Sequence, residues 1–316
     1  MKTFVTLLLF ALTLLADAHI FVYHRFGDAR HPSTNTSIAV LKKQFDYFKN
    51  HGYDVIPLST LVETLEKGKH VPDNWVVLTI DDSYRSFFEN ALPLFRRYGY
   101  PFTLFVYTGA TERRYGDFMT WKQINEAKKY GELGFHSHSH PHMVSKSDDY
   151  LAEDFKKGLA LMAKRTGERA KYFAYPYGEY DKRVKKIAES FGFDAICNQN
   201  VGAVSDRSSR FDLDRIALTG DTSLKEKLAI RFLPAEWIEP SVWPEHGIVH
   251  RVRIKIGVPT AARRAQLYLT GYGWEWVDVR NGEIDAILDK PLKNRRSRLI
   301  LKLEKDKINT KILVKP

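Results

Sequence analysis

From His19 to about Phe232 the chain alternates short apolar runs with helix-like segments, and few folds accept that pattern. IFVYHRF reads as a strand, and SIAVLKKQFDYFKNHG as a helix with Ile38, Leu41, Phe45 and Phe48 on one face. VVLTI is a strand, followed by YRSFFENALPLFRRYG, a helix that closes on Gly99. PFTLFVYT, ELGFH, YFAYP, FDAIC and LDRIAL repeat the strand pattern, and TWKQINEAKKYG, DDYLAEDFKKGLALMAKRTG and YDKRVKKIAESFG the helical one. Strands this apolar are buried on both faces, so the segment folds as an α/β unit whose parallel sheet or barrel is covered by helices. In such folds chemistry sits where strands end and loops begin.

After about Pro234 the period changes. AEWIEPSVWPEHG reads as a connection, and then RVRIKIGV, AQLYLTGYG, WEWVDVRNGEIDAIL and RSRLILKLEKDKINTKILVK alternate apolar with polar residues. Asn281-Gly282 is a hairpin signal. Residues 235–316 are therefore expected to form a small antiparallel β-domain. It carries 16 basic and 10 acidic side chains, more than half of the chain's formal excess of +11. Such a balance suits a cell envelope or an anionic glycan, or is simply solubilising charge. Trp274 and Trp276, two apart, share a strand face, where they serve either as core or seam packing or as a sugar-stacking platform.

The chain opens MKTFVTLLLFALTLLADAH: Lys2 as charged region, an apolar stretch at residues 4–15, and Ala16-Asp17-Ala18 as an A-x-A cleavage site. Residues 1–18 are read as a cleaved signal peptide, because the apolar run is short for a membrane anchor. The expected destination is the periplasm, cell envelope or exterior, which argues against nucleic acid as a partner. Cys197, the single cysteine, allows no internal disulfide and reads as a packing residue.

GFHSHSHPHM places histidines at 136, 138, 140 and 142. On a strand, His136 and His140 would sit about 13 Å apart at ~3.3 Å per residue, too far to share one ion. If the chain turns after His136, the two can meet, and a third ligand must come from elsewhere. VVLTIDDSYRS runs a buried strand into Asp81 and Asp82, an arrangement that is costly unless something neutralises the pair. The alternative for Asp82 is the N-cap of the following helix.

TIDDSYRS, GFHSHSHP and YFAYPYG, in that order, resemble the three core motifs of the polysaccharide deacetylases of carbohydrate esterase family 4, the NodB-homology domain. VYHRFGD and GYDVIPLSTLV add a likeness to the branch acting on poly-β-1,6-N-acetylglucosamine. The resemblance covers residues 19–232 and implies a (β/α) barrel-like fold. It implies that Asp82, His136 and His140 are the metal ligands, usually to Zn²⁺ (or Co²⁺ or Ni²⁺), with an open coordination position as in catalytic sites. Asp81 matches the general base, and a backbone N–H at Tyr177 the oxyanion donor. Pro176 and Tyr177 would wall the sugar pocket. His142 is expected to line the cleft and His138 to be a structural spacer.

The implied activity is metal-dependent removal of N-acetyl groups from an N-acetylhexosamine polysaccharide, releasing acetate. Peptidoglycan or another modified glycan as substrate, and a catalytically weak carbohydrate-binding protein on the same fold, are the alternatives. Three positions depart from the pattern. Ser83 stands where many members have glycine, and is tolerated unless the backbone needs positive φ. Ala174 stands where an arginine usually holds the base; Arg215 in LDRIAL is the candidate for that ordering, or for a substrate contact. The usual late histidine that serves as general acid has no match, and His24, at the end of the first strand, is the candidate for that role.

Overall fold

A computed structural model describes residues 17–316, so the expected signal peptide lies outside the described residues except for its last two positions. Those two are part of the fold. Asp17 accepts a hydrogen bond from the Phe232 N–H at 3.0 Å, and Ala18 exchanges two backbone hydrogen bonds with Val204.

Seven parallel strands form the main sheet, in the order Ile216–Ala217, His19–Tyr23, Trp75–Ile80, Thr103–Val106, Glu132–Phe135, Tyr172–Ala174 and Ala195–Cys197. Asp54–Val55 pairs beside the start of the 75–80 strand. An isolated parallel bridge between Cys197 and Leu213 ties the last strand to the segment that pairs with the first, so the sheet curls round on itself. Side chains divide with a period of two. Phe21, Tyr23, Leu78, Leu104 and Phe135 belong to the core under the helices, while Ile20, Val77, Phe105, Ala174 and Cys197 form a second cluster on the opposite face.

Local sequence explains the covering helices. Ser37 caps Ile38–Asn50 by accepting from the Val40 N–H, and Leu41, Phe45 and Phe48 are its buried stripe. The segment after Asp81-Asp82 begins with a π-helical turn, Phe87–Ala91, before Leu92–Tyr98. Pro93, which has no N–H to donate, stands at the start of that second piece. Gly99 ends it in the left-handed conformation at φ 66°. Helix Leu58–Glu66 buries Leu58, Leu61 and Val62.

The C-terminal region contains two antiparallel sheets. Arg231–Phe232, Lys307–Val314, Arg296–Leu303, Arg264–Leu269 and Gly273–Asp278 form the larger, the first of them pairing in parallel. Ala235–Glu239, Ile248–Ile256 and Glu283–Pro291 form the smaller. Leu233, Val252, Ile254, Leu267, Leu299 and Leu301 are buried between them.

Two sequence expectations are corrected here. AEWIE is a strand rather than a connection. Asn281-Gly282 makes its turn, with φ of 52° and 77°, but pairing stops at the Arg280–Glu283 bridge. The arms then part, 273–278 to the larger sheet and 283–291 to the smaller. The larger sheet also reaches the first core, because Ile312 and Val314 pack with it.

Candidate functional site

Four strands of the main sheet deliver site side chains just past their carboxyl ends. His24 follows the 19–23 strand, Asp81 and Asp82 the 75–80 strand, His136 the 132–135 strand, and Tyr177 the 172–174 strand. Asp82, His136 and His140 each aim one ligand atom into a common space, all within 4.8 Å of one another. The chain turns after Phe135, so the histidine run is a loop rather than a strand.

The donor set fits a divalent ion. Asp82 Oδ1 lies 3.3 Å from His136 Nε2 and 3.0 Å from His140 Nε2. Neither contact has hydrogen-bond geometry, so a buried carboxylate oxygen is left without a donor. His136 Nδ1 is 2.8 Å from the Ala174 carbonyl. A carbonyl only accepts, so Nδ1 carries the proton and Nε2 presents its lone pair to the cluster.

Holding these groups requires an unusual backbone. Asp82, Ser83, Ser137, His140 and Tyr177 all have positive φ, between 51° and 70°. Five such non-glycine residues round one cavity store strain that the surrounding contacts must offset. Asp82, at φ 70°, is not the extended N-cap that was the alternative reading. Ser83 occupies the very conformation, φ 57°, that makes glycine preferable there.

Further contacts fix the histidine loop. Asp154, on helix Asp148–Thr166, accepts from the His138 N–H at 2.9 Å and the Ser139 N–H at 2.8 Å. Ser137 Oγ accepts from the His140 N–H at 2.7 Å. Gly109 donates to the His138 carbonyl, and a Cβ there would stand 2.1 Å from that oxygen, so only glycine allows the approach. His138 itself turns away, with Nδ1 3.1 Å from Thr108 Oγ1.

Asp81 is fully buried and clamped by Arg215, whose two terminal nitrogens donate to its two oxygens at 2.7 and 2.8 Å. Burial works to raise the Asp81 carboxyl, but the Arg215 guanidinium outweighs it and holds the pKa below the ordinary range. Arg215 lies on the segment that closes the ring of strands, which points it inward. The expectation of a substrate contact for Arg215 is therefore corrected. It is 1% exposed and engaged with Asp81, Thr79 and the Asn198 carbonyl.

A cavity of about 690 Å³ opens over the cluster, lined by His24, Asp82, Tyr84, Tyr107, His136, His140, Tyr177 and Gln199, with Arg296 and Arg298 from the C-terminal region. His24 is on this wall; its Nδ1 is buried without a partner, and burial pushes the imidazole below its ordinary pKa against the pull of Asp82 and Asp81. Two more expectations are corrected. Pro176 is buried and is not among the residues lining the cavity. His142 is not on the wall either; it stacks on Tyr177 at 4.3 Å and meets Glu179 Oε2 at 2.8 Å. Sequence reasoning missed Asp154, Gln199, Arg296 and Arg298. None carries a local signal, since their partners are distant in the chain.

The parallel ring of strands thus carries paired acids and a histidine loop at its carboxyl end. Residues 68–196 match the family model described as polysaccharide deacetylase. A Staphylococcus epidermidis protein named poly-β-1,6-N-acetyl-D-glucosamine N-deacetylase is 27% identical over 205 residues, which is 58% of this chain and 69% of that protein. A Staphylococcus aureus protein of the same name is 27% identical over 218 residues, 64% of this chain and 73% of that one. Among solved structures, the Streptococcus pyogenes deacetylase PplD in complex with acetate aligns with a TM-score of 0.61 and 23% identity, covering 66% of this chain and 95% of that one. IcaB from Ammonifex degensii aligns with a TM-score of 0.58 and 24% identity over 65% and 93% of the two chains. These structural likenesses are of fold.

Proposed function

We propose that this chain is a metal-dependent N-deacetylase acting on an N-acetylhexosamine polysaccharide of the poly-β-1,6-N-acetylglucosamine kind. The observation that carries the reading is Asp82 Oδ1, buried, without a donor and facing two imidazole nitrogens, next to a second acid clamped by arginine. Asp82, His136 and His140 would hold the ion, with zinc the first candidate and cobalt or nickel able to replace it. When bound, it supplies Lewis-acid polarisation and activation of water. Asp81, kept ionised by Arg215, accepts the proton of the attacking water. Tyr177 bounds the acetamide pocket and is assigned the backbone oxyanion contact. His24, on the cavity wall with a free ring nitrogen, is assigned protonation of the leaving amine. The signal-like N-terminal sequence supports export, and an envelope-associated glycan is the substrate this reading favours.

Acetate release from poly-N-acetylglucosamine, chitin oligomers and peptidoglycan, with and without chelator, tests the reading. The expected result is chelator-sensitive release, restored by zinc or cobalt and fastest on poly-N-acetylglucosamine. Release unaffected by chelation, or from none of the panel, contradicts it.

A further inference from the structure

The larger C-terminal sheet is docked by only part of one face. On its 307–314 strand, Ile312 and Val314 pack into the core of the deacetylase domain. Cross-strand register places Arg296, Arg298, Ile300 and Lys302 on that same face of the 296–303 strand. It continues through Tyr268, opposite Ile300, to Trp274, opposite Tyr268, and to Trp276 two residues on. At the docked end Arg298 donates to the Gln199 carbonyl at 3.2 Å and Arg296 to the Tyr177 carbonyl, and both arginines line the catalytic cavity. At the free end Trp274 and Trp276 are 47% and 57% exposed.

One face thus runs from the cavity wall out to two open indoles. Trp274 lies 5.3 Å from the Tyr268 ring, with Lys302 over it at 6.0 Å, and Arg264 sits over Trp276 at 5.2 Å. The rings are interleaved with Gln266, Lys302 and Arg264 rather than joined into a wide apolar patch, which is a poor match for a protein partner. A pyranose presents apolar C–H faces ringed by hydroxyls, and indoles flanked by donors suit both. Arg298 Nε, buried and without a partner, leaves a donor unused beside the cavity. Arg298 and Trp274 are two strand spacings apart and two residues offset along the strands, about 12 Å, the reach of an oligosaccharide rather than one sugar.

We infer that the face carrying Tyr268, Trp274 and Trp276 is a glycan-binding platform that holds the part of the substrate chain leaving the catalytic cavity, with Arg296 and Arg298 as its junction. This rests on the deacetylase reading for the identity of the glycan, not for the existence of the surface. It makes the C-terminal region an extension of the substrate site.

The test measures affinity for a long poly-N-acetylglucosamine chain and for its disaccharide, in an Asp81→Asn background that does not turn substrate over. The disaccharide reports the cavity alone. In the W274A/W276A double variant the ratio of polymer to disaccharide affinity should fall tenfold or more. W274F/W276F, which keeps a stacking face, should recover part of it, and Ile287→Ala, an exposed apolar residue on the smaller sheet, should leave it unchanged. An unchanged ratio in the double alanine variant overturns the platform and leaves the deacetylase reading standing. An unchanged ratio together with a tryptophan-dependent dimer in sedimentation also overturns it, assigning the face to a second copy of the chain. Tryptophan-dependent polymer binding, with no acetate released by the parent protein that keeps Asp81, upholds the platform and overturns the deacetylase reading.

Discussion

Asp81 and Asp82 are adjacent, yet their surroundings divide their work. Asp82 faces His136 and His140, whereas Asp81 is held by Arg215. Asp82→Asn is expected to weaken zinc binding directly, while Asp81→Asn keeps zinc and loses most turnover. Equal loss of zinc in both variants, read by titration against a chromophoric chelator, would show that the pair ligates together. Ser83 offers a stability test. A non-glycine residue in the left-handed region costs roughly 1–2 kcal/mol, and glycine gives back roughly 0.5–1 kcal/mol through its unfolded-state freedom. Ser83→Gly should therefore stabilise the fold by roughly 0.5–1 kcal/mol, seen as a higher denaturant midpoint at unchanged slope. A lower midpoint would mean that the serine hydroxyl, near Thr111 Oγ1 at 3.5 Å, contributes more than the strain costs. Asp82, His136, His140 and Asp81 were legible because they stand in motifs that resemble those of a known family, and Arg215 because it is a charge set in an apolar run. Pro176, His142 and the substrate role for Arg215 were misread, because proximity in sequence to a motif says nothing about which way a side chain faces.

At the scale of elements, a helix that supplies no ligand holds the ligand loop. Asp154 fixes the His138 and Ser139 amides, and through them the path to His140. Partners of this kind are worth about 10–100-fold in metal affinity. Asp154→Ala is expected to lose that much zinc affinity, while Glu153→Ala, whose only described ion pair is an exposed one with Lys156, loses none. Equal affinities in the two would mean that the loop holds its shape unaided. Most elements of residues 19–232 could be read from sequence, since doubly buried parallel strands appear as uninterrupted apolar runs. The departures came where local chemistry underdetermines pairing. Asn281-Gly282 dictates a reversal of the chain, but nothing in it says that its arms join different sheets. The strand Ala235–Glu239 was hidden because Pro240 and Trp243 nearby read as a connection.

Across the whole molecule, the N-terminal strand and the C-terminal region meet at His19. The ring is buried, with Nε2 2.9 Å from the Ile230 carbonyl, and burial pushes its pKa down to about 4. In the unfolded chain it titrates near 6.5. Between those values the unfolded state binds a proton that the folded state does not, so stability falls as pH drops from about 6.5 towards 4 and is unaffected by this group above that window. The full difference corresponds to about 3 kcal/mol. His19→Gln should lose less in Tm than the parent protein when both are taken from about pH 7 to about pH 4.5. Equal losses would assign the acid sensitivity to other groups. That the C-terminal region would share a core and a cavity with the first domain was not readable from its sequence. Alternation reveals which residues of a strand share a face, not which body that face will meet.

Arg296 and Arg298 beside the cavity bear on what leaves it. Each turnover of the proposed reaction converts a neutral acetamide into an amine that is protonated at neutral pH. A wall of fixed guanidinium charge repels that new ammonium, while it is indifferent to the acetylated unit. The platform would thus hold acetylated units in preference to freshly converted ones, and a converted stretch would be released rather than worked along. Free amines would be spaced along the polymer instead of gathered in blocks, and raising the salt concentration would relax the spacing as the repulsion is screened.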